Sequence, residues 1–331
     1  MFPGAWNDGS CPACGGRLAS WRSVPSSEPG LAGRRYRLLR CGDCGSATTA
    51  GDAAADGRDG AGGGPGPPRA EDLHDSGAYR VGDPFLYRAA VPILRVFDAQ
   101  RLALLRTLVA PPARILDVGA GQGRFVAAAQ AAGYDATGIE PSRRGIERAH
   151  KVRALVAQRT IEAAEIPAGS LDGATLWHVL EHLDDPGAAL RRIVTWLRPG
   201  GAMVVGVPNL AGIQARVGGD RWYHLDVPRH RTHFTPAGLD RLVRSSGLVP
   251  VSVHHRLLEH NPYGMWQSVV NWLTRHPSYL YNLLKRNAPL SARDLLVTAL
   301  ALPLVAPAGA AELLAGTLRR GGTVAVLARR P

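Results

Sequence analysis

Ile115-Leu116-Asp117-Val118-Gly119-Ala120-Gly121-Gln122-Gly123-Arg124-Phe125 decides the fold. Ile115, Leu116 and Val118 suit a central parallel strand, which is apolar on both faces. The three glycines make a tight turn and let a ligand approach the backbone closely. Phe125, Ala128, Ala129 and Ala132 then recur at helical spacing, and Gly133 ends the helix. The spacing is G-x-G-x-G with Arg at 124, so the third glycine of a dinucleotide fingerprint is missing. Asp117, at the end of the strand, would repel a pyrophosphate and favour a ligand that carries an ammonium and a sulfonium. A second apolar strand, Tyr134 to Ile139, ends in Glu140, where a carboxylate can accept from both hydroxyls of a ribose. Ser142 opens the next helix.

Further along, Asp172 to Trp177 reads as a strand that delivers His178-Val179-Leu180-Glu181-His182. The carboxyl edge of a parallel sheet is where open α/β folds bind ligands. Asp184, Asp185 and Pro186 start a helix, Ala202–Val207 makes the next strand, and Val249–Val253 and Gly322–Leu327 make the last two. Between them lies the polar run Arg221 to Phe234. Histidine can remove a proton near neutral pH. His230 and His233 are therefore candidates for a base or for holding an anionic substrate. A metal site with Asp226 and a purely hydrogen-bonded loop remain open.

The segments Ile115–Phe125, Gly138–Ser142 and Leu176–His182, with D-x-P-R-H-x-x-H-F at Asp226–Phe234, resemble the class I S-adenosylmethionine-dependent methyltransferases. Within that class the closest resemblance is to the ubiquinone-biosynthesis methyltransferases. The resemblance covers roughly residues 79–250 and recurs at the C-terminus. It implies an α/β fold, a Rossmann-like seven-stranded sheet with helices on both faces. It also implies S-adenosylmethionine at Asp117, Gly119, Gly121, Gly123, Glu140, Ser142, Glu162, Ala163 and His178. Relatives place an acid where Ala163 stands, with Glu162 and Glu165 beside it. His182, His230 and His233 would then surround the methyl acceptor, and Tyr79 is an aromatic in the lead-in that closes over cofactor or substrate in similar enzymes.

All four cysteines fall in Cys11-Pro12-Ala13-Cys14-Gly15 and Cys41-Gly42-Asp43-Cys44-Gly45. Each C-x-x-C-G turn presents two thiolates, and two such turns make a closed four-cysteine zinc site, structural because no position stays open. The domain reading is a zinc ribbon at 1–49 and a flexible Gly/Ala/Asp/Pro linker at 50–70 that lets the ribbon move. A methyltransferase domain with an N-terminal helical cap follows at 71–256, then an aromatic and apolar insertion at 257–320 and the last strand at 321–331. Leu295 to Ala311 carries no charge, and Pro303 and Pro307 are expected to break it into a hairpin or helix pair. Contact with a membrane surface, a homodimer face and burial in the protein's own core stay open for it.

The chain has 331 residues and a net charge of +12, enough for one large domain and a small one. Lys151 and Lys285 are the only lysines, so the basic balance is arginine, and a generally basic surface competes with a nucleic-acid or membrane face. The N-terminus lacks the pattern of a secretory signal and the cysteines are paired for metal, which places the chain in the cytoplasm, with peripheral contact at the inner face of the membrane through 295–311. The function expected is transfer of a methyl group to oxygen or carbon of a small-molecule acceptor, lipid-linked or sugar. An RNA base methyltransferase and a non-catalytic cofactor-binding scaffold are the rival readings.

Overall fold

The computed structural model describes residues 9–31, 33–52, 84–285 and 287–331. Tyr79 and residues 53–70 of the expected linker lie outside them. The main sheet has seven strands in the order β10-β11-β8-β7-β4-β5-β6. These are β4 (Arg114–Val118), β5 (Asp135–Ile139), β6 (Val156–Ala157), β7 (Leu171–Trp177), β8 (Leu197–Pro208), β10 (Val249–His254) and β11 (Thr323–Arg329). Strands β6, β5, β4, β7 and β8 run parallel, and β11 is antiparallel to both β8 and β10. The chain turns outward in opposite directions from β4 and from β7, so a ligand crevice is due at the carboxyl ends of these neighbours.

The sequence chooses this sheet because its strands are apolar on both faces. Ile115, Leu116, Val118, Leu176, Val205 and Val326 are all buried. Helices α2 (Arg124–Ala131), α3 (Arg143–Lys151), α4 (Pro186–Trp196) and α6 (Pro236–Ser245) follow β4, β5, β7 and the 221–234 loop. Three are capped as their sequences require. Ser142, Asp185 and Thr235 each accept from the backbone N–H three residues on. Helix α1 (Pro84–Arg106) precedes β4 and buries Leu104 and Leu105.

A second sheet holds β1 (Leu18–Pro25), β2 (Arg35–Cys41), β3 (Ala47–Asp52) and β9 (Thr232–His233). Two features depart from the sequence reading. Strand β3 runs through residues 50–52, which the composition assigned to the linker. And β9 belongs to the loop after β8, so the ribbon's sheet is completed by the other end of the chain: Ala47 pairs with His233 and Thr48 with Thr232. The ribbon is thereby docked on the catalytic domain and does not hang from the linker alone. Cys11, Ala13, Cys41 and Cys44 share one apolar cluster with Phe234, Leu239 and Leu242.

The insertion is helical: α7 (Asn261–Val270), which packs beside α5 (Ile213–Gly218) of the preceding segment, α8 (Tyr279–Leu284), α9 (Ala292–Ala301) and α10 (Val305–Thr317). The expected break at the prolines does not divide it. Pro303 sits in a single 3-10 turn, Leu302–Leu304, and helix resumes at once. Pro307 falls in the first turn of α10, where a missing N–H costs no intrahelical bond. The result is a 26-residue helical rod, Ala292–Thr317.

Glu312 of α10 is buried and accepts from Gly322 N at 2.6 Å and Gln214 Nε2 at 3.2 Å. Burial pushes its carboxyl up to about 7 against those hydrogen bonds. The folded state therefore holds a proton that the unfolded chain releases above its ordinary value near 4.5, and stability falls as pH rises through that window. Glu312→Gln should remove this slope, gaining on the order of 2–3 kcal/mol relative to wild type between pH 4.5 and pH 8. Denaturant melts at the two pH values read it; parallel curves for both proteins would refute it.

Candidate active site

The crevice between β4 and β7 begins with the glycine turn. Gly119, Gly121 and Gly123 all have positive φ, 69°, 54° and 71°. The first and last also need their missing side chains. A Cβ on Gly119 would lie 2.4 Å from Val179 Cγ2, and one on Gly123 2.5 Å from Ala154 Cβ. Glu140, at the tip of β5, binds this turn directly: Oε2 accepts from Gly121 N at 2.9 Å and Oε1 from Ser142 N at 2.9 Å. Each carboxylate oxygen has a further acceptor site, so the same group can brace the turn and receive a ribose. Glu162 and Ala163 are exposed in the turn after β6, and Ala163 N donates to Thr160 Oγ1.

Asp117 is buried, and its Oδ1 accepts from Thr175 Oγ1 at 2.5 Å and from Arg101 Nη2 at 3.1 Å. Burial pushes its carboxyl up, against Arg101 and Thr175. The cation that meets this carboxylate here is thus a side chain of α1. The Arg101 guanidinium also lies over the rings of Phe125 and Trp177, at 4.0 and 5.2 Å from their centroids. One turn earlier on α1, Asp98 takes Arg124 through two bonds of 2.8 and 3.1 Å. Helix α1 is thereby clamped over the glycine turn at two points.

Beyond the end of β7 the site becomes a set of histidines and acids. His178 adopts a left-handed backbone, φ 55°, as do Asp226 and His260 near it in the fold, a conformation uncommon outside glycine. Its Nδ1 donates to Glu181 Oε1 at 3.1 Å, and its ring stacks on His224 with centroids 5.7 Å apart. His260 closes the other side, 6.1 Å from His178 and 6.3 Å from Phe97. Glu259 lies beside it, with Arg124 at 3.6 Å. Burial alone would raise Glu259, but Arg101, His260, His178 and Arg124 outweigh it and hold the carboxyl below its usual range. Burial pushes His260 down to about 4, against Glu259.

Four buried polar atoms here have no hydrogen-bond partner: His178 Nε2, Glu181 Oε2, His224 Nε2 and Glu259 Oε2. Such atoms are few in native proteins, and each costs about 1–3 kcal/mol. Their convergence describes a site built for a polar ligand.

His182 and His230 form the second half of the cluster, with ring centroids 4.6 Å apart. His182 Nδ1 meets Arg229 O at 3.2 Å and His230 Nδ1 meets His224 O at 2.9 Å. A carbonyl only accepts, so both Nδ1 atoms carry the proton and both neutral rings keep a lone pair on Nε2. His230 Nε2 lies 4.0 Å from Glu181 Oε1 and 3.8 Å from Asp226 Oδ2. Burial lowers the pKa of both rings; His182 and His233 push His230 further down, whereas Glu181 and Asp226 oppose the shift at His182. One ligand atom each from Glu181, His182 and His230 lie within 4.8 Å of one another, so the group could also hold a divalent cation.

His233 lies elsewhere. Its Nε2 pairs with Thr49 Oγ1 of the ribbon at 2.9 Å, and burial, with Arg22 nearby, pushes it down to about 3. Thr49 Oγ1 also donates to His230 O at 2.7 Å, and Thr49 N to Arg231 O at 2.9 Å. Glu28 of the ribbon reaches Arg229, which is bound to Asp226 at 2.7 Å. The ribbon is one wall of the histidine loop.

The four thiols are drawn together at the ribbon's tip, with Cys11 Sγ–Cys44 Sγ at 3.7 Å and Cys14 Sγ–Cys41 Sγ at 3.5 Å. Four-coordinate zinc with arms of ~2.3 Å has sulfur–sulfur edges of about 3.8 Å, so these residues fit that ion. Gly15 and Gly45, both at φ 74°, turn the chain back after each pair.

Sequence reasoning missed Asp98, Arg101, Glu259, His260 and the ring of His224. His224 sat in the polar run already singled out, and Glu259-His260 is a charged pair that opens the insertion. Nothing local marks Arg101 or Thr49, whose roles come from distant partners.

A central parallel sheet with one antiparallel strand, a glycine turn braced by the acid of the next strand and a polar cluster beyond β7 define a class I methyltransferase architecture. Residues 94–253 match the family model described as a methyltransferase domain. Ubiquinone biosynthesis O-methyltransferase of Ralstonia nicotianae is 30% identical over 165 residues, 45% of this chain and 67% of that protein. The protein of the same name from Aeromonas salmonicida is 32% identical over 151 residues, 41% of this chain and 63% of its own length. That from Xanthomonas axonopodis pv. citri is 29% identical over 180 residues, 50% and 75%. A solved S-adenosylmethionine-dependent methyltransferase from Thermotoga maritima shares the fold, with a TM-score of 0.50 at 19% identity, covering 80% of this chain and 100% of its own. The chain belongs to the S-adenosylmethionine-dependent methyltransferases, and S-adenosylmethionine is its co-substrate.

Two outcomes follow. Glu140→Ala removes the bonds that brace the turn and the carboxylate expected to receive a ribose, so calorimetry should find S-adenosylmethionine bound about 10–100-fold more weakly; unchanged affinity would contradict the assignment. Thr49→Val keeps the shape but leaves His233 and the His230 carbonyl unpaired. It should cost about 1–3 kcal/mol of stability with S-adenosylmethionine affinity unchanged; a variant as stable as wild type would show that Thr49 does not carry the contact.

Proposed function

We propose that the chain methylates an oxygen or carbon of a small-molecule acceptor, with His230 as the base. The observation that supports this most is the geometry of His230: its Nδ1 donates to His224 O at 2.9 Å, which leaves Nε2 as the basic nitrogen, with carboxylate oxygens of Glu181 and Asp226 at 4.0 and 3.8 Å. The bound co-substrate supplies an activated methyl group, so the chain's residues must chiefly align and deprotonate the acceptor. Gly119, Gly121, Gly123, Glu140 and Ser142 hold the cofactor's nucleoside end, with Glu162 and Ala163 at the adenine edge. Asp117, through Arg101, and His178 border its methionine end. His230 takes the acceptor's proton, and Glu181 and Asp226 stabilise the imidazolium that forms. His182 orients the acceptor. His233 serves the loop from behind, held by Thr49.

The acceptor class is a hydroxylated or otherwise polar molecule, because His178, Glu181, His224 and Glu259 offer unpaired atoms to it. The names of the curated relatives suggest a lipid-linked acceptor; a sugar meets the same donors and acceptors. We assign structural zinc to Cys11, Cys14, Cys41 and Cys44. The domain boundaries expected at residues 70, 256 and 320 are kept as the working division, with the ribbon carried on to Asp52, the end of β3. We place the protein in the cytoplasm, peripheral at the inner face of the membrane through 295–311, where a lipid-linked acceptor is met. The RNA reading rests on a tethered zinc ribbon, a basic chain and this domain occurring together in some rRNA base methyltransferases; against it, the β3 edge of the ribbon is taken up by β9. The cluster of Glu181, His182 and His230 supports a second reading, a divalent cation that polarises the acceptor oxygen. It predicts turnover that rises with added Mg2+ and loses that response in Glu181→Gln.

Because burial holds His230 well below the ordinary histidine value, its base form is present throughout neutrality. With the acceptor found by screening quinol, lipid and sugar fractions, kcat/KM should stay flat from pH 8 down to about 6.5 and fall only below. His230→Gln should lower kcat by about 10²–10⁴ with S-adenosylmethionine affinity unchanged. An acid limb above pH 7, or full activity in His230→Gln, would remove it from the role.

A further inference from the structure

The helical rod Ala292–Thr317 is attached to the protein along one edge only. Asp294, Thr298 and Ala301 near one end and Glu312, Ala315 and Gly316 near the other are its buried residues, with Ala308 and Gly309 half-buried between them. Both of the rod's acids are among the buried residues and are satisfied there. Asp294 accepts from the backbone of Arg275 and His276 and from His276 Nδ1 at 2.7 Å, and Glu312 from Gly322 and Gln214.

The other faces are bare and apolar. Leu296, Leu300 and Leu304, four residues apart, are 60%, 71% and 50% exposed. Leu302 is 53% exposed, and Leu314 and Leu318 are 61% and 60% exposed. Large leucine surfaces of this kind mark an interaction site. Between Arg293 and Thr317 no exposed position carries a charge or a side-chain hydrogen-bonding group. Positive charge returns at both ends, in exposed Arg293, Arg319 and Arg320.

We propose that this rod is a monotopic membrane-binding element that lies flat in the headgroup layer of an anionic bilayer, with its leucines at the acyl boundary and its arginines on lipid phosphates. Three observations choose this occupant. First, buried residues hold the rod to the domain near both of its ends, so it cannot cross a bilayer as an isolated span, although its 26 residues would be long enough. At 1.5 Å per residue it would cover about 39 Å of membrane surface. Second, a protein partner would ordinarily be matched by about ten hydrogen bonds, and this face offers none from its side chains, whereas lipid tails require none. Third, withdrawn acids with arginines at both ends complement anionic headgroups.

The placement reaches the active site. Helix α10 packs along α7, which begins directly after Glu259 and His260. A bilayer against the rod therefore backs the wall that carries those two side chains. Delivery of a lipid-borne acceptor across that wall rests on the function proposed above; membrane binding itself does not.

The test is flotation of the full-length protein with vesicles of phosphatidylcholine alone and with roughly one lipid in three replaced by phosphatidylglycerol. Wild type should float with the anionic vesicles. Leu300→Ser with Leu304→Ser should weaken partitioning about a hundredfold, and Arg293→Gln with Arg319→Gln and Arg320→Gln should abolish the preference for phosphatidylglycerol. S-adenosylmethionine titration of each variant reports folding, so a failed methyltransferase reading would show there and leave the flotation result intact. Wild type that stays at the bottom of both gradients overturns the proposal. So does a dimer, seen by sedimentation, that the leucine variant dissolves while vesicle binding is absent.

Discussion

The antiparallel pairing of Ala47 and Thr48 with His233 and Thr232 is the contact on which the rest of the site depends. It is only two residues long, yet it closes the chain on itself. It fixes the loop from Arg221 to Phe234 between the ribbon on one side and the ends of β7 and β8 on the other. Thr49 reinforces it through two bonds at one hydroxyl, and Thr235 Oγ1 donates to Cys44 O at 2.6 Å, so the second cysteine turn and the cap of α6 share a hydrogen bond. A histidine loop whose own regular structure is one 3-10 turn, Tyr223–Leu225, and the two-residue β9 would otherwise sample many conformations. Here it is held on both sides, as the base role proposed for His230 requires.

Burial does the second part of the work. The histidines His182, His224, His230 and His260 are all kept neutral by desolvation, and the carboxylates Glu181 and Glu259 lie among them. A neutral imidazole beside an ionised carboxylate is poised to accept a proton and to be stabilised once it has done so. The arginines divide similarly. Arg101 and Arg124 satisfy the acids of the cofactor side, and Arg229 with Glu28 and Asp226 ties the far side to the ribbon. Charges are thus compensated around the site, and unpaired atoms remain where a ligand would lie.

Much of this was legible in the sequence, and for a physical reason. Ile115–Phe125 announces its strand, turn and helix through local features: a run apolar on both faces, glycines at the left-handed positions and alanines at helical spacing. Glu140, Ser142, Asp185 and Thr235 follow from the chemistry of strand tips and helix caps. The cysteine turns are legible because zinc ligands come in local pairs. What stayed hidden depends on long-range contacts. Thr49 is an ordinary strand residue until β9 arrives from 180 residues away. Arg101 carries no local signal, and its role comes from Asp117 and the rings of Phe125 and Trp177 that surround it. Pro303 and Pro307 looked like helix breakers because composition does not reveal which turn of a helix a proline occupies. His233 looked equivalent to His230, and only the backbone register shows that it faces the ribbon.

The central claim is that cofactor and acceptor meet at the carboxyl edge of β4 and β7, between the glycine turn and the histidine loop. A crystal structure of the full chain soaked with S-adenosylhomocysteine tests it most directly. The account predicts ribose density on Glu140 and the homocysteine sulfur facing the cluster of His178, Glu181 and His230, with the ribbon still paired to β9. Density on another face of the sheet, or a sulfur separated from His230 by the bulk of α1, would contradict it.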